Sequence, residues 1–157
     1  MDNYEYEGPE GCKLTFGPLT EGALDTVGRN LREADRLECS ITVAYQYPPT
    51  WVLQESVRQS EEVWLARWEG EPVAIFGVLR DGMVWMMGTN GINDIPVKTV
   101  VVASKFWIDT LKSRHKSLWN FVLRDNDLHV RWLKAMGFDF LREVAGPLGS
   151  TFIEFRQ

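Results

Sequence analysis

Residues 64–89, WLARWEGEPVAIFGVLRDGMVWMMGT, contain three apolar segments separated by two short polar turns. The segments are rich in aromatic and β-branched residues, as strands are. Glu69-Gly70-Glu71 and Asp81-Gly82 provide the turn residues between them, and turns this short join antiparallel neighbours. The stretch therefore predicts an antiparallel meander.

The second half of the chain alternates helical and strand patterns. After a loop of turn-forming residues at 90–96, the longest helix is predicted from about Val97 to His115. SLWNFVL (117–123) is a nearly continuous apolar strand, of the kind that is buried on both faces. The meander, the helix and this strand together predict a parallel, right-handed crossover.

The first half of the chain contributes one strand and two helices. Residues 12–20 alternate apolar and polar positions, which is the period of a strand. Thr20 is a suitable N-cap for a single helix that runs to about Cys39. After the break at Pro48-Pro49, Thr50 is a suitable cap for the second helix.

The resulting element order is β-α-α-β-β-β-α-β-α-β-β. It predicts an α/β (α+β) fold with a single mixed sheet, in which an antiparallel meander is followed by a parallel strand-helix step, with helices on both faces. A length of 157 residues suits one domain. We assign residues 12–157 to that domain and residues 1–11 to a flexible, exposed N-terminal arm.

Charge and composition argue against several classes of protein. The net charge is −5 and the sequence has no run of Lys or Arg, which argues against nucleic acid as the primary partner. Cys12 and Cys39 lack the spacing of a metal site and are expected to be free thiols. No apolar run approaches the ~18 residues that a membrane span needs. The acidic N-terminus also lacks the apolar core of a signal peptide.

The segment NDLHVRWLKAMGFDF, from Asn126 to Phe140, carries the strongest motif. Asn126 opens a helix, and Gly137-Phe138 close it eleven and twelve residues later. Together with the element order, this segment resembles the GCN5-related N-acetyltransferase superfamily, and the similarity extends over residues 12–155. The resemblance implies an acetyltransferase-like fold and, in active members, N-acetyl transfer from acetyl-CoA.

A narrower resemblance covers residues 117 to the end. The strand Leu118-Trp119-Asn120-Phe121-Val122 and the helix after it resemble a small internal virion protein family of short-tailed bacteriophages. The matching helix positions are Asn126, His129, Arg131, Trp132, Leu133, Lys134 and Gly137. This resemblance implies a protein of the phage virion or of its assembly in the host cytoplasm, with other virion proteins or host proteins as partners.

The acetyltransferase resemblance implies a phosphate-binding loop before the long helix. The cofactor-binding residues that it implies are Gly88, Thr89, Asn90, Gly91, Lys98 and Asn126. The loop suits a pyrophosphate poorly, because Pro96 lacks an amide donor and Asp94 adds a negative charge. As structure, Asp94 and Pro96 suit an N-cap and a helix start. We therefore expect no cofactor, and acetyl-CoA only under the enzymatic alternative.

The side chains that acetyl transfer would use are also missing. Leu133 occupies the proton-donor position of the superfamily, and residues 83–89 contain no Asp, Glu or His to act as a base. Glu61 and Glu62 are expected on the solvated surface at the end of the second helix, and His115 is expected to cap the long helix. The hypothesis is a catalytically degenerate domain that has kept the fold, with no assigned catalytic residue.

Two other functions stay open at this point. One is a divergent acetyl-CoA-dependent N-acetyltransferase that acts on a host or phage protein, an idea that rests on the fold alone. The other is a non-catalytic sensor of CoA or a nucleotide, which needs a phosphate site. The sequence leaves the identity of the partner and the oligomeric state open.

Exposed aromatic residues are the candidates for protein binding. Trp85, Trp119 and Trp132 are the candidate anchors. His129 and Arg131 are predicted to form a polar and basic rim around Trp132, a composition typical of interface hot spots. The alternative for Trp132 is that it only covers the neighbouring sheet.

Overall fold

The computed structural model describes residues 6–8 and 11–157. Within these ranges the chain forms a series of strands and helices with short 3₁₀ turns at Asn90–Asp94 and Pro147–Gly149. The elements, in chain order, are β1 (Tyr6–Glu7), β2 (Leu14–Pro18), α1 (Glu21–Arg29), α2 (Glu33–Thr42), α3 (Pro49–Gln59), β3 (Glu62–Trp68), β4 (Glu71–Val78), β5 (Val84–Gly88), α4 (Val97–Lys112), β6 (Trp119–Leu123), α5 (Asp127–Ala135), β7 (Asp139–Ala145) and β8 (Thr151–Arg156).

The predicted meander is confirmed. Strands β1 to β5 form one antiparallel sheet in sequence order, with Trp64 opposite Phe76 and Phe76 opposite Met86. Glu69 and Gly70 have positive φ angles of 51° and 84°, which suits the tight turn between β3 and β4.

Strands β6, β8 and β7 form a second antiparallel sheet. One parallel bridge, between Met83 and Trp119, joins it to the meander, so the predicted parallel step is confirmed. The expected single sheet is instead divided in two, because Met83, just before β5, and Trp119 at the start of β6 form only this isolated bridge. Beyond it the Asn120 side chain donates to the Val84 carbonyl at 2.7 Å, in place of a main-chain bond.

Hydrophobic cores lie on both faces of the meander, as predicted. Trp64, Phe76 and Trp107 belong to the core beneath α4 and α5, whereas Leu65 and Ile75 belong to the core beneath α1 and α3. Successive residues of a strand point to opposite faces, which explains why neighbours in β3 and β4 enter different cores. The mixed α/β class with helices on both faces is therefore confirmed.

The predicted burial of β6 on both faces is wrong. Val122 and Leu123 are buried, but Phe121 is 37% exposed. The incomplete burial belongs to the first half of β6, because Val122 and Leu123 point to opposite faces and are both buried at its end.

The single helix expected over residues 20–39 is two helices. Thr20 caps α1 as predicted, accepting from the Ala23 amide at 3.2 Å. The chain then extends, since Leu31 pairs with Thr89 and the Arg32 amide donates to the Gly88 carbonyl at 2.8 Å. These tertiary hydrogen bonds compensate for the interrupted helix.

Two other helix boundaries differ from the prediction. Thr50 lies inside α3, and Pro48 is its N-cap. The long helix α4 ends at Lys112, with Ser113 rather than His115 at its C-cap. Proline suits the start of a helix because the first amides have no partner within the helix.

The predicted N-terminal arm lies partly outside the described residues, at positions 1–5 and 9–10. Tyr6, however, belongs to β1, pairs with Phe16 and is only 8% exposed. Its ring also contacts Phe106 on α4, with centroids 5.2 Å apart. The expectation of an exposed arm is therefore wrong at Tyr6, and the domain boundary at residue 12 stays a prediction.

Three expectations from composition concern the described part of the chain. Cys12 and Cys39 are free thiols. None of the helices described is long and apolar enough to cross a membrane. Across the same ranges no group of His, Cys, Asp or Glu is arranged to hold a metal ion.

Candidate functional site in the gap between the two sheets

The gap between β5 and β6 is spanned at its open end by α2. Asp35 Oδ2 accepts a hydrogen bond from the Gly88 amide at 2.9 Å, and Glu38 Oε1 accepts one from the Leu123 amide at 2.5 Å. Gly88 ends β5 and Leu123 ends β6, and the other edges of these strands pair with β4 and β8. Two carboxylates one helical turn apart thus each bind one amide at the end of a strand beside the gap.

Asp35 is the centre of a buried polar group, the Asp35 cluster, which consists of Arg32, Asp35, Glu38, Asn126 and His129. Arg32 Nη1 lies 3.0 Å and Asn126 Nδ2 lies 3.1 Å from Asp35 Oδ1. His129 Nε2 is 3.3 Å from the same oxygen but lacks hydrogen-bond alignment. Asp35 is 1% and Asn126 0% exposed, so the pairing occurs away from water.

The cluster changes the protonation of two of its members. Burial raises the pKa of Glu38 to about 7, and the Asp35 carboxylate adds to the rise, against the opposing effects of the Leu123 amide, Asn126 and Arg32. Burial lowers the pKa of His129, although Asp35 opposes this change. The imidazole is therefore neutral near pH 7, and Glu38 titrates close to that pH.

Two cavities lie on opposite sides of the gap. The apolar cavity, about 360 Å³, lies between the meander, α4 and α5, and its lining includes Phe76, Val101 and Arg131. The aromatic cavity, about 440 Å³, lies on the side of α2 and α3, and its lining includes Glu38 and Trp85. Both volumes fall within the range of small-ligand sites.

Trp132 separates the two cavities. Met86, Trp107 and Trp132 line both of them, so these side chains form the wall between them. The Trp132 indole donates to Ser104 Oγ at 2.8 Å and stacks against Trp107 with ring centroids 6.4 Å apart. Trp132 thereby fixes α5 to α4 across the gap.

The predicted cofactor loop is occupied by internal contacts. The Gly88 amide is bound to Asp35, the Thr89 amide donates to the Val73 carbonyl, and Thr89 Oγ1 accepts from the Gly91 amide at 3.1 Å. A Cβ at Gly88 would lie 2.1 Å from Ile92 Cδ1, so a larger residue there would displace the Ile92 side chain. These residues need no ligand to account for them.

The other predicted cofactor residues lie apart. Asn90 and Lys98 are exposed, whereas Asn126 is fully buried in the Asp35 cluster. Asp94 does not cap α4, because Pro96 is the N-cap and no side chain caps this helix. The N-terminus of α4 thus keeps amides that an anion can approach.

Two predictions about possible catalytic residues have different outcomes. Leu133, at the proton-donor position, is a core residue with 3% exposure. Glu61 is exposed as expected, but Glu62 lies in β3, is 6% exposed and pairs with Arg114 at 2.8 Å. The expectation of a solvated Glu62 is wrong because the strand begins earlier than its polar sequence indicates.

The candidate protein-binding residues do not form one surface. Trp85 is half-buried and donates to Ser60 Oγ at 2.7 Å, and Trp119 donates to the Asp81 carbonyl at 3.2 Å. Arg131 is exposed at the apolar cavity, whereas His129 is buried in the Asp35 cluster. The predicted rim around Trp132 is therefore wrong at His129, which faces α2.

The sequence reasoning missed Arg32, the N-cap of α2, and the α2 residues Asp35 and Glu38. Their signal was present, because Asp35 and Glu38 interrupt an apolar stripe that contains Leu31 and Cys39. Acids at such positions indicate buried polar partners. The partners on α5 lie too far along the chain to be paired with them by spacing.

The sequence of residues 62–145 matches a protein family described as "Bacteriophage T7, probable scaffold protein Gp13". The match spans more than half of the 157 residues. The chain belongs to this family. The Gp13-family match covers β3 to β5, α4, β6, α5 and β7, which include both strands beside the gap. No curated protein sequence matches the chain.

The Gp13-family chain is similar in structure to acetyltransferases. A putative acetyltransferase superposes with a TM-score of 0.66 at 13% identity, over 97% of this chain and 84% of that one. Ard1 from Thermoplasma volcanium superposes with a TM-score of 0.64 at 14% identity, over 92% of this chain and 97% of Ard1. The ribosomal-protein-S5-alanine acetyltransferase from Vibrio fischeri superposes with a TM-score of 0.62 at 12% identity, over 100% of this chain and 96% of that one. The acetyltransferase-like fold is therefore confirmed.

Proposed function

We propose that this chain is a phage virion- or assembly-associated protein whose acetyltransferase-like domain binds a partner protein and does not transfer acetyl groups. The family assignment supports the phage context. The observation that carries the loss of acetyl transfer is the position of Asp35 and Glu38 at the amides of Gly88 and Leu123.

Acetyl transfer needs hydrogen-bond donors that stabilise negative charge on the reacting carbonyl. In this chain, the amides that end β5 and β6 already donate to carboxylates. A carboxylate beside the reacting carbonyl opposes the developing charge instead of stabilising it. Leu133, at the proton-donor position, has no proton to give to a leaving thiolate.

Two features favour the alternative of a divergent acetyl-CoA-dependent N-acetyltransferase. Glu38 has a pKa of about 7 and lines the aromatic cavity, which suits a general base. The N-terminus of α4 has no side-chain cap and is free to receive a phosphate. The test must therefore measure acetyl-CoA binding directly.

Thermal unfolding with and without acetyl-CoA tests the loss of cofactor binding. A ligand at a hundred times its dissociation constant adds about 2.7 kcal/mol to the free energy of unfolding, a clear shift in Tm. We expect no shift in Tm at millimolar acetyl-CoA. A saturable shift that Lys98→Glu abolishes would establish binding at α4 and overturn this part of the proposal.

Cross-linking of purified virions and assembly intermediates tests the protein-binding role. We expect mass spectrometry to detect the chain there, with cross-links from its exposed Lys98 or Lys105 to a second phage protein. If the chain is absent from both preparations, the assembly role is wrong.

A further inference from the structure

We propose that the aromatic cavity binds an arginine side chain of the partner protein. This inference rests on the proposed function and deepens it, because it names the chemistry that the partner presents. It assigns a role to the side of the gap that faces α2 and α3.

The first argument is charge. Glu38 and Glu55 line the aromatic cavity, and no Lys or Arg is found among the described residues that line it. Asp35 is paired with Arg32, and Glu55 with Arg58. Glu38 forms no salt bridge within the described ranges. The cavity therefore holds a carboxylate that a cation from outside can neutralise.

The second argument is the composition of the walls. The aromatic residues that line this cavity are Trp51, Trp85, Trp107, Phe121, Trp132, Phe152 and Phe155. Aromatic faces attract cations, and partial removal of water strengthens the attraction. A carboxylate among aromatic rings is a typical arrangement for a cationic side chain.

The third argument is the open mouth of the cavity. Trp51 is 36% and Phe121 37% exposed, so the cavity reaches the surface between α3 and β6. Tyr47 stacks on Trp51, with ring centroids 4.2 Å apart and planes at 17°. This pair presents a flat aromatic surface next to the entrance.

The shape of the site favours arginine over lysine. A guanidinium is planar, stacks on aromatic faces and loses its hydration more readily than an ammonium group. Its several donors also suit the carboxylate of Glu38 on α2, which has more than one acceptor position. An ammonium group is a compact, strongly hydrated charge and gains less from a broad aromatic wall.

Titration with N-acetyl-arginine amide tests the inference, with N-acetyl-lysine amide as the comparison. Indole N–H signals of Trp51 and Trp85 in heteronuclear NMR report binding at the mouth and the wall. We expect the arginine probe to bind at least fivefold more tightly than the lysine probe. Glu38→Gln should weaken arginine binding tenfold or more, whereas Glu33→Gln, an exposed site on the same helix, should leave it unchanged.

Trp51→Ala provides a second variant at the mouth and should weaken arginine binding severalfold with an unaltered Tm. The inference is overturned if lysine binds as tightly as arginine, or if Glu38→Gln and Trp51→Ala leave binding unchanged. Virion cross-links that persist in Glu38→Gln would overturn the arginine inference and leave the proposed function standing, because a partner would then bind without the arginine site. Absence of cross-links in the unaltered protein would contradict the proposed function itself.

Discussion

Asp35 and Asn126 are 91 positions apart in the sequence, yet the side-chain Nδ2 of Asn126 donates to the Asp35 carboxylate at 3.1 Å. This contact brings α2 against the start of α5 at the open end of the gap. Asp35 also holds the Gly88 amide at the end of β5. One carboxylate therefore connects two helices and a strand.

Asp35→Asn should destabilise the protein by about 3–5 kcal/mol. The substitution keeps the size of the side chain but leaves the Arg32 guanidinium buried without its counter-charge. Urea unfolding measures the change. Asp25→Asn is the matched control, because Asp25 pairs with Arg29 on the exposed surface of α1 and should change stability by no more than ~1 kcal/mol. Equal effects of the two substitutions would contradict a central role for Asp35.

Glu38→Gln should stabilise the protein at pH 8 and have little effect at pH 4. The folded-state pKa of Glu38 is raised from 4.5 to about 7, so between these values the folded protein holds a proton that the unfolded chain releases. The unaltered protein therefore loses stability as pH rises through this window, by up to about 3 kcal/mol. Urea unfolding at several pH values checks this, and an equal effect of the substitution at pH 4 and pH 8 would contradict it.

The pKa of His129 should lie below its ordinary value of 6.5, because burial opposes the charged form of the imidazole. Below pH 6.5 the unfolded chain takes up a proton that folded His129 does not. The contribution of His129 to stability therefore falls as pH falls, whereas the contribution of Glu38 falls as pH rises. NMR titration of the His129 imidazole measures its protonation directly. Protonation at or above pH 6.5 would show that Asp35 outweighs burial.

Trp132→Phe should cost about 1 kcal/mol, because it removes the hydrogen bond to Ser104. Trp132→Ala should cost about 3 kcal/mol or more, since it also removes the contact with Trp107. Ser104→Ala combined with Trp132→Phe completes a double-mutant cycle, measured by urea unfolding. No coupling between the two substitutions would mean that the hydrogen bond contributes nothing to stability.

The helices and strands that repeat one pattern over several residues were predictable. The meander follows from aromatic and β-branched segments separated by Gly-containing turns, and both turns occur where they were expected. The break between α1 and α2 was not predictable from local preference. It depends on the pairing of Leu31 with Thr89, a contact between distant parts of the chain.

The candidate site was predicted less completely than the fold. Leu133 was correctly placed in the core, because its position in the apolar stripe of α5 is a local property. His129 and Trp132 were expected at a surface, but their surroundings are provided by α2 and α4. Helical spacing shows which residues share a face, and it does not show which element covers that face.

The sequence alone determined the order of elements from β3 to β8, the antiparallel meander and the core position of Leu133, because each depends on residue type and short-range spacing. The tertiary structure decided the division into two sheets and the burial of the Asp35 cluster. It also decided that Asp35 and Glu38 occupy the ends of β5 and β6. These features depend on side chains far apart in the chain, whose pairing compensates for the cost of burying their charges.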